Sequence, residues 1–89
     1  MTRLSPRQVE FLAMTAMGMK KAEIALKSGK SVWTVKAYLD SARFILGART
    51  LPQAIAIAIA FEILGLDHEG NIHIPALEEY LVPEVALVA

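Results

Sequence analysis

The chain has no cysteine, which excludes a disulfide framework, a thiolate zinc site and a cysteine nucleophile. A reducing, cytoplasmic setting is the expectation. It also lacks any uninterrupted apolar run of membrane length, and Met1 to Arg7 has none of the apolar core of a secretory leader. No membrane association is expected. Nothing in it has the form of a nucleophile elbow, a glycine-rich phosphate loop or a paired-carboxylate pocket. His68 and His73, with Asp67 and Glu69, do not fall at metal-ligand spacing and read as part of a polar turn. The 89 residues make one small domain, too short for a cofactor fold plus a substrate domain. We therefore expect no enzyme, no metal and no cofactor.

Basic residues are missing from the whole second half. All nine Lys and Arg fall before Leu51, against Glu10, Glu23 and Asp40, so that Met1 to Thr50 carries a formal charge of +6. From Leu51 onward there are six acids and no base, a charge of −6. The net charge of zero hides a basic head joined to an acidic tail. What is abundant is apolar side chain, 55% of the residues with a mean hydropathy of +0.45. This excludes disorder and suggests that some apolar surface is buried against a second chain.

Helix punctuation divides the head into four. Ser5-Pro6-Arg7-Gln8 supplies a cap hydroxyl, a proline at the first helical position and a Gln able to complete a capping box, so a first helix is predicted from Pro6 to Met17. Its apolar positions are Val9, Leu12, Ala13, Ala16 and Met17, and Gly18 stops it. A second, short helix from about Lys20 to Lys27 is expected to place Ala22, Ile24, Ala25 and Leu26 near the core, with Gly29 as breaker. Ser31 then caps a third, from Val32 to about Leu46, with Val35, Leu39, Ala42 and Leu46 inward and Gly47 closing it. Trp33, Phe11, Tyr38 and Phe44 are assigned to packing.

Thr50-Leu51-Pro52-Gln53 repeats the capping pattern and opens a fourth helix, predicted from Leu51 to Leu64 and ended by Gly65. The alternating Ile and Ala from Ala54 to Ala60 could read as a strand, but alanine is a poor strand former and the flanking signals frame a helix. A turn-rich connector, Asp67 to Asn71, and a short helical piece from Ala76 to Leu81 complete the prediction. The fold class is all-α, with residues 1–65 as the head and 66–89 as an acidic and apolar extension.

The second and third helices, joined by a tight turn, have the arrangement that fits a major groove. Lys20, Lys21, Ser31, Thr34, Lys36 and Arg43 supply cations and hydrogen-bonding groups around the third. The residues resemble a LuxR-type (GerE-like) helix-turn-helix domain, whose opening motif here reads Leu4-Ser5-Pro6-Arg7-Gln8-Val9-Glu10-Phe11-Leu12. The likeness continues through Ala16, Gly18, Glu23-Ile24-Ala25, Ser31, Thr34-Val35-Lys36, Leu39, Leu46-Gly47 and Ala54. It covers roughly the first sixty residues.

The resemblance implies a regulator of bacterial or phage transcription that binds double-stranded DNA as a homodimer, with the third helix in the groove. Thr34 and Lys36 match contact positions, and Ala37 and Asp40 stand where relatives place base-reading side chains. The fourth helix would pair subunits through Ile55, Ile59, Glu62 and Ile63. Ala37 suits a thymine methyl; Asp40 suits cytosine N4 but is repelled by phosphate. The family usually carries a sensor or receiver domain that is not seen here, so control is expected through expression, proteolysis or a partner. Ser28, Lys30, Tyr38, Ser41, Ile45 and Leu51 depart from the family pattern, and Ile45 removes a plausible phosphate contact. The departures bear on affinity more than on fold, and Ile45, the net charge of zero and the acidic tail favour an alternative: an antagonist that keeps the fold but acts by protein binding, through a heterodimer or another protein partner.

Overall fold

In a computed structural model, which describes residues 2–75 and 80–82, those residues form four helices and two small two-stranded sheets. Strand β1 (Thr2–Leu4) leads into α1 (Pro6–Ala16), α2 (Lys21–Ser28), α3 (Val32–Ile45) and α4 (Leu51–Ala60). Three of the helix starts follow the capping signals in the sequence. The Ser5, Ser31 and Thr50 hydroxyls accept from the backbone N–H of Gln8, Thr34 and Gln53, at 3.2, 3.1 and 3.2 Å. At α2 the Lys20 N–H instead donates to the Glu23 carboxylate at 3.1 Å.

The core is the inward stripe of α3, Val35, Leu39, Ala42 and Leu46, all fully buried. Around it pack Val9, Phe11, Leu12 and Ala13 of α1, Ile24 and Ala25 of α2, and Ala54 and Ala58 of α4. Small Ala side chains on α4 let that helix approach closely. Two expected core residues of α2 are not in it: Ala22 is exposed and Leu26 is 88% exposed. Eight residues make barely two turns, and only the Ile24 edge reaches α1 and α3. Met17 is exposed too, because it caps α1 rather than continuing it.

The fourth helix departs most from expectation. It ends at Ala60 instead of Leu64, with Phe61 as its cap and Glu62 in the left-handed region at φ 60°. The Glu62 N–H donates to the Ile59 carbonyl at 3.0 Å and the Ile63 N–H to the Ala58 carbonyl at 2.8 Å. These two bonds are a Schellman closure, with glutamate where glycine usually stands. It turns Ile63 and Leu64 inward, each 1% exposed. Burial of two large aliphatic side chains outweighs the left-handed glutamate, which costs about 1–2 kcal/mol.

Gly65 serves strand β2 (Gly65–Leu66), which pairs antiparallel with β3 (Ile72–His73). A Cβ at Gly65 would run into the His73 imidazole, so a larger residue there requires that exposed side chain to move. In the connecting turn the Asp67 carboxylate accepts from the Asn71 and Glu69 amides at 2.8 and 2.9 Å. These bonds, the Asn71 amide first, hold its pKa below the ordinary carboxylate value, so their contribution is lost only as pH falls through that lowered value.

Strand β4 (Tyr80–Val82) runs antiparallel to β1, with Leu4 opposite Tyr80 and Thr2 opposite Val82. Tyr80 and Leu81 are therefore extended rather than helical; residues 76–79 of the predicted helical piece lie outside the described residues. No helix among the described residues is long and apolar enough to cross a membrane.

Replacing Glu62 with glycine relieves the left-handed backbone at the cost of a more flexible unfolded chain. Glu62→Gly is expected to raise stability by about 0.5 kcal/mol, seen as a higher urea midpoint at unchanged slope. A lower midpoint would show that the glutamate side chain is needed at the closure.

Candidate nucleic-acid interface

The tight turn after α2 puts the start of α3 at the surface. Ser31 caps the helix, and its hydroxyl also lies 3.0 Å from that of Thr34, so both are partly committed to the first turn. The unsatisfied N–H groups there carry the positive end of the helix dipole, which favours phosphate.

With Val35, Leu39 and Ala42 buried, the helical period turns Trp33, Lys36, Ala37, Asp40, Ser41 and Phe44 outward, and all six are exposed. Lys36, Ala37 and Asp40 thus share one outward face, with Thr34 half-buried at its edge. Lys36 Nζ stands 3.8 Å from Asp40 Oδ2, one turn along. That pair is more than half exposed on both sides and contributes little to stability, but it cancels charge on the outward face.

Arg43 is placed differently from expectation. It is half-buried, and its Nη1 donates to the Ala48 carbonyl at 3.0 Å, tying the end of α3 to the loop before α4. Lys20 is exposed and Lys21 half-buried at the start of α2. Lys27 and Lys30, also exposed, stand at the end of α2 and in the turn to α3. The cationic character of this side of the molecule therefore lies beside α3 more than on it.

Two aromatic residues assigned to packing are not packed: Trp33 is 80% exposed and Phe44 79%. They sit three helical turns apart on the outward side of α3, where the inward stripe leaves no core to reach. The other two behave as expected. Phe11 is buried and meets the half-buried Tyr38 edge to face, with ring centroids 5.4 Å apart.

Gln8 carries more than its capping role. Its Oε1 accepts from the Ser5 N–H at 2.7 Å while its Nε2 donates to the Ser41 hydroxyl at 2.8 Å, so one side chain closes α1 and fixes α3 against it. The capping motif signalled the first bond; nothing in the sequence signalled the second.

On α4, Ile55 and Ile59 are half-buried and Glu62 is exposed beyond the helix end. Ile63, expected beside them on the pairing face, is core and offers nothing to a second chain. The exposed side of α4 is formed by Gln53, Ala56 and Ala60, flanked by half-buried Ile57 and Ile59.

Residues 2–58 match the family described as bacterial regulatory proteins, luxR family. Comparison with curated proteins and with solved structures gives no match.

Since Arg43 holds a backbone carbonyl and Lys36 only an exposed partner, their truncations should separate. Arg43→Ala is expected to cost about 1 kcal/mol of stability and Lys36→Ala less than about 0.5, measured by urea denaturation. The reverse order would return Arg43 to the free surface.

Proposed function

The chain belongs to the luxR family of bacterial regulatory proteins, which are DNA-binding transcription regulators, and from that premise we propose that it binds duplex DNA as a homodimer with α3 in the major groove. The observation that carries this reading is the outward face of α3, which projects Lys36, Ala37 and Asp40 from one side of a helix held rigid on the other. In this reading residues 1–65 are the DNA-binding head and 66–89 its acidic extension.

Phosphates are held by Lys20, Lys21 and Lys36 and by the capped start of α3 with Ser31 and Thr34, while Ala37 and Asp40 face base edges. Arg43 supports the helix rather than the DNA. Subunits pair through α4, where Ile55 and Ile59 gain further burial against the second copy and Glu62 lies at the rim.

A second reading has its own observation. Exposed Trp33 and Phe44, together with the internally paired Lys36 and Asp40, give α3 a face with little free charge, which suits a protein partner. The protein would then act as an antagonist that sequesters a related regulator.

Selection from a random duplex library separates the two. Recovery of a two-fold symmetric site, with half-sites about one helical turn apart, establishes a dimeric sequence reader. Folded protein that enriches no motif points to the antagonist. Lys36→Glu should abolish binding to the selected site without unfolding the chain. Asp40→Ala, which removes a carboxylate facing phosphate, should tighten binding by about threefold at low salt. Ile59→Asp should yield a monomer by sedimentation; a persistent dimer would move the interface away from α4.

A further inference from the structure

A groove of about 580 Å³ lies alongside α3. Trp33 and Ala37 supply its exposed apolar wall, and Thr34, Tyr38 and Ser41 of α3 with Ser5 and Gln8 at the start of α1 line the rest. Its polar groups are largely engaged with each other. The Gln8 amide bridges the Ser5 N–H and the Ser41 hydroxyl, and the Thr34 hydroxyl is turned to Ser31. The nearest ionic groups on α3, Lys36 and Asp40, share the outward face with Ala37 but are paired with each other. What this wall offers a ligand is apolar surface and shape.

What such an apolar wall on a groove helix reads is the apolar feature of a base pair. In the major groove that feature is the methyl group on pyrimidine C5, carried by thymine and by 5-methylcytosine. We propose that Trp33 and Ala37 together form a pyrimidine 5-methyl reader, which makes Trp33 a specificity-determining residue of the DNA site. The proposal rests on the reading of α3 as the groove helix.

The physical reason is the exposure of the indole. At 80% exposed, Trp33 keeps most of its apolar surface in water until something covers it. A methyl group seated between the indole and the Ala37 methyl removes apolar area on both partners, and no hydrogen bond need be made or broken. Burying one such carbon changes affinity by about fourfold. The cost of misplacement is small on the protein side, because Gln8 already fixes Ser41 and hence the position of α3 against α1. An unmethylated cytosine brings no methyl group to this wall and so gains nothing from the Trp33–Ala37 contact.

The test uses the duplex recovered by selection with the full chain, and replaces single bases without changing pairing or phosphates. In one arm each thymine is replaced by deoxyuridine; in the other each cytosine by 5-methylcytosine. An approximately fourfold loss at one or two thymines per half-site assigns the contact to thymine. An approximately fourfold gain at a cytosine, with no loss at any thymine, assigns it to methylated cytosine. Trp33→Ala should erase whichever difference appears, and Trp33→Phe should retain part of it, with both variants folded by circular dichroism. Equal affinity with and without every methyl group overturns the proposal while leaving the DNA-binding reading intact. Discrimination that persists undiminished in Trp33→Ala overturns the role of Trp33. Folded protein that retains no duplex removes both readings together.

Discussion

The inward stripe of α3 is the contact on which the other helices depend. Val35, Leu39, Ala42 and Leu46 are each fully buried, and α1, α2 and α4 all send side chains to the cluster around them. A helix held on one side by four buried positions has little freedom to rotate, because turning it would expose apolar area on every neighbour at once. The identity of the outward residues follows from that constraint. Trp33, Lys36, Ala37, Asp40 and Phe44 face solvent because the positions between them are committed to the core.

The polar contacts refine this arrangement. Gln8 links the start of α1 to the middle of α3 through Ser41, and Arg43 links the end of α3 to the loop before α4. Both bonds sit at the edges of the apolar cluster, where a polar side chain, buried as Gln8 or half-buried as Arg43, still finds a partner. They convert two residues that look free in the sequence into supports for the outward face. The remaining cations of α2 and the following turn, Lys20, Lys21, Lys27 and Lys30, are left to set the field around it. A nearly neutral outward face thus stands beside a basic flank, which in the proposed function would separate attraction for the phosphate backbone from discrimination between bases.

Legibility in the sequence followed locality. Ser5, Ser31 and Thr50 announce helix starts because a cap acts over three residues, and Gly18 and Gly47 announce ends because the left-handed turn is their own backbone preference. The end of α4 is hidden from the sequence for the same reason. Glu62 has no local preference for φ 60° and adopts it because Ile63 and Leu64 gain burial by turning inward. Likewise the pairing of β1 with β4 joins segments nearly eighty residues apart, and neither Thr2–Leu4 nor Tyr80–Val82 is long enough to show a strand period. Of the candidate interface residues, Lys36, Ala37 and Asp40 could be read from period and family likeness; the diversion of Arg43 and the burial of Ile63 could not, since each depends on a neighbour brought in by folding.

The sequence by itself determined the four helices, the inward stripe of α3, the split between a basic head and an acidic tail, and membership of a DNA-binding family. These are properties of spacing, capping and composition, written in residues that lie close together or count in sum. Only the tertiary structure decided which polar groups remain free, where α4 stops, and that Trp33 and Phe44 stand in solvent instead of in the core. Those outcomes turn on how much apolar surface each alternative buries, and that balance exists only once distant segments are in contact.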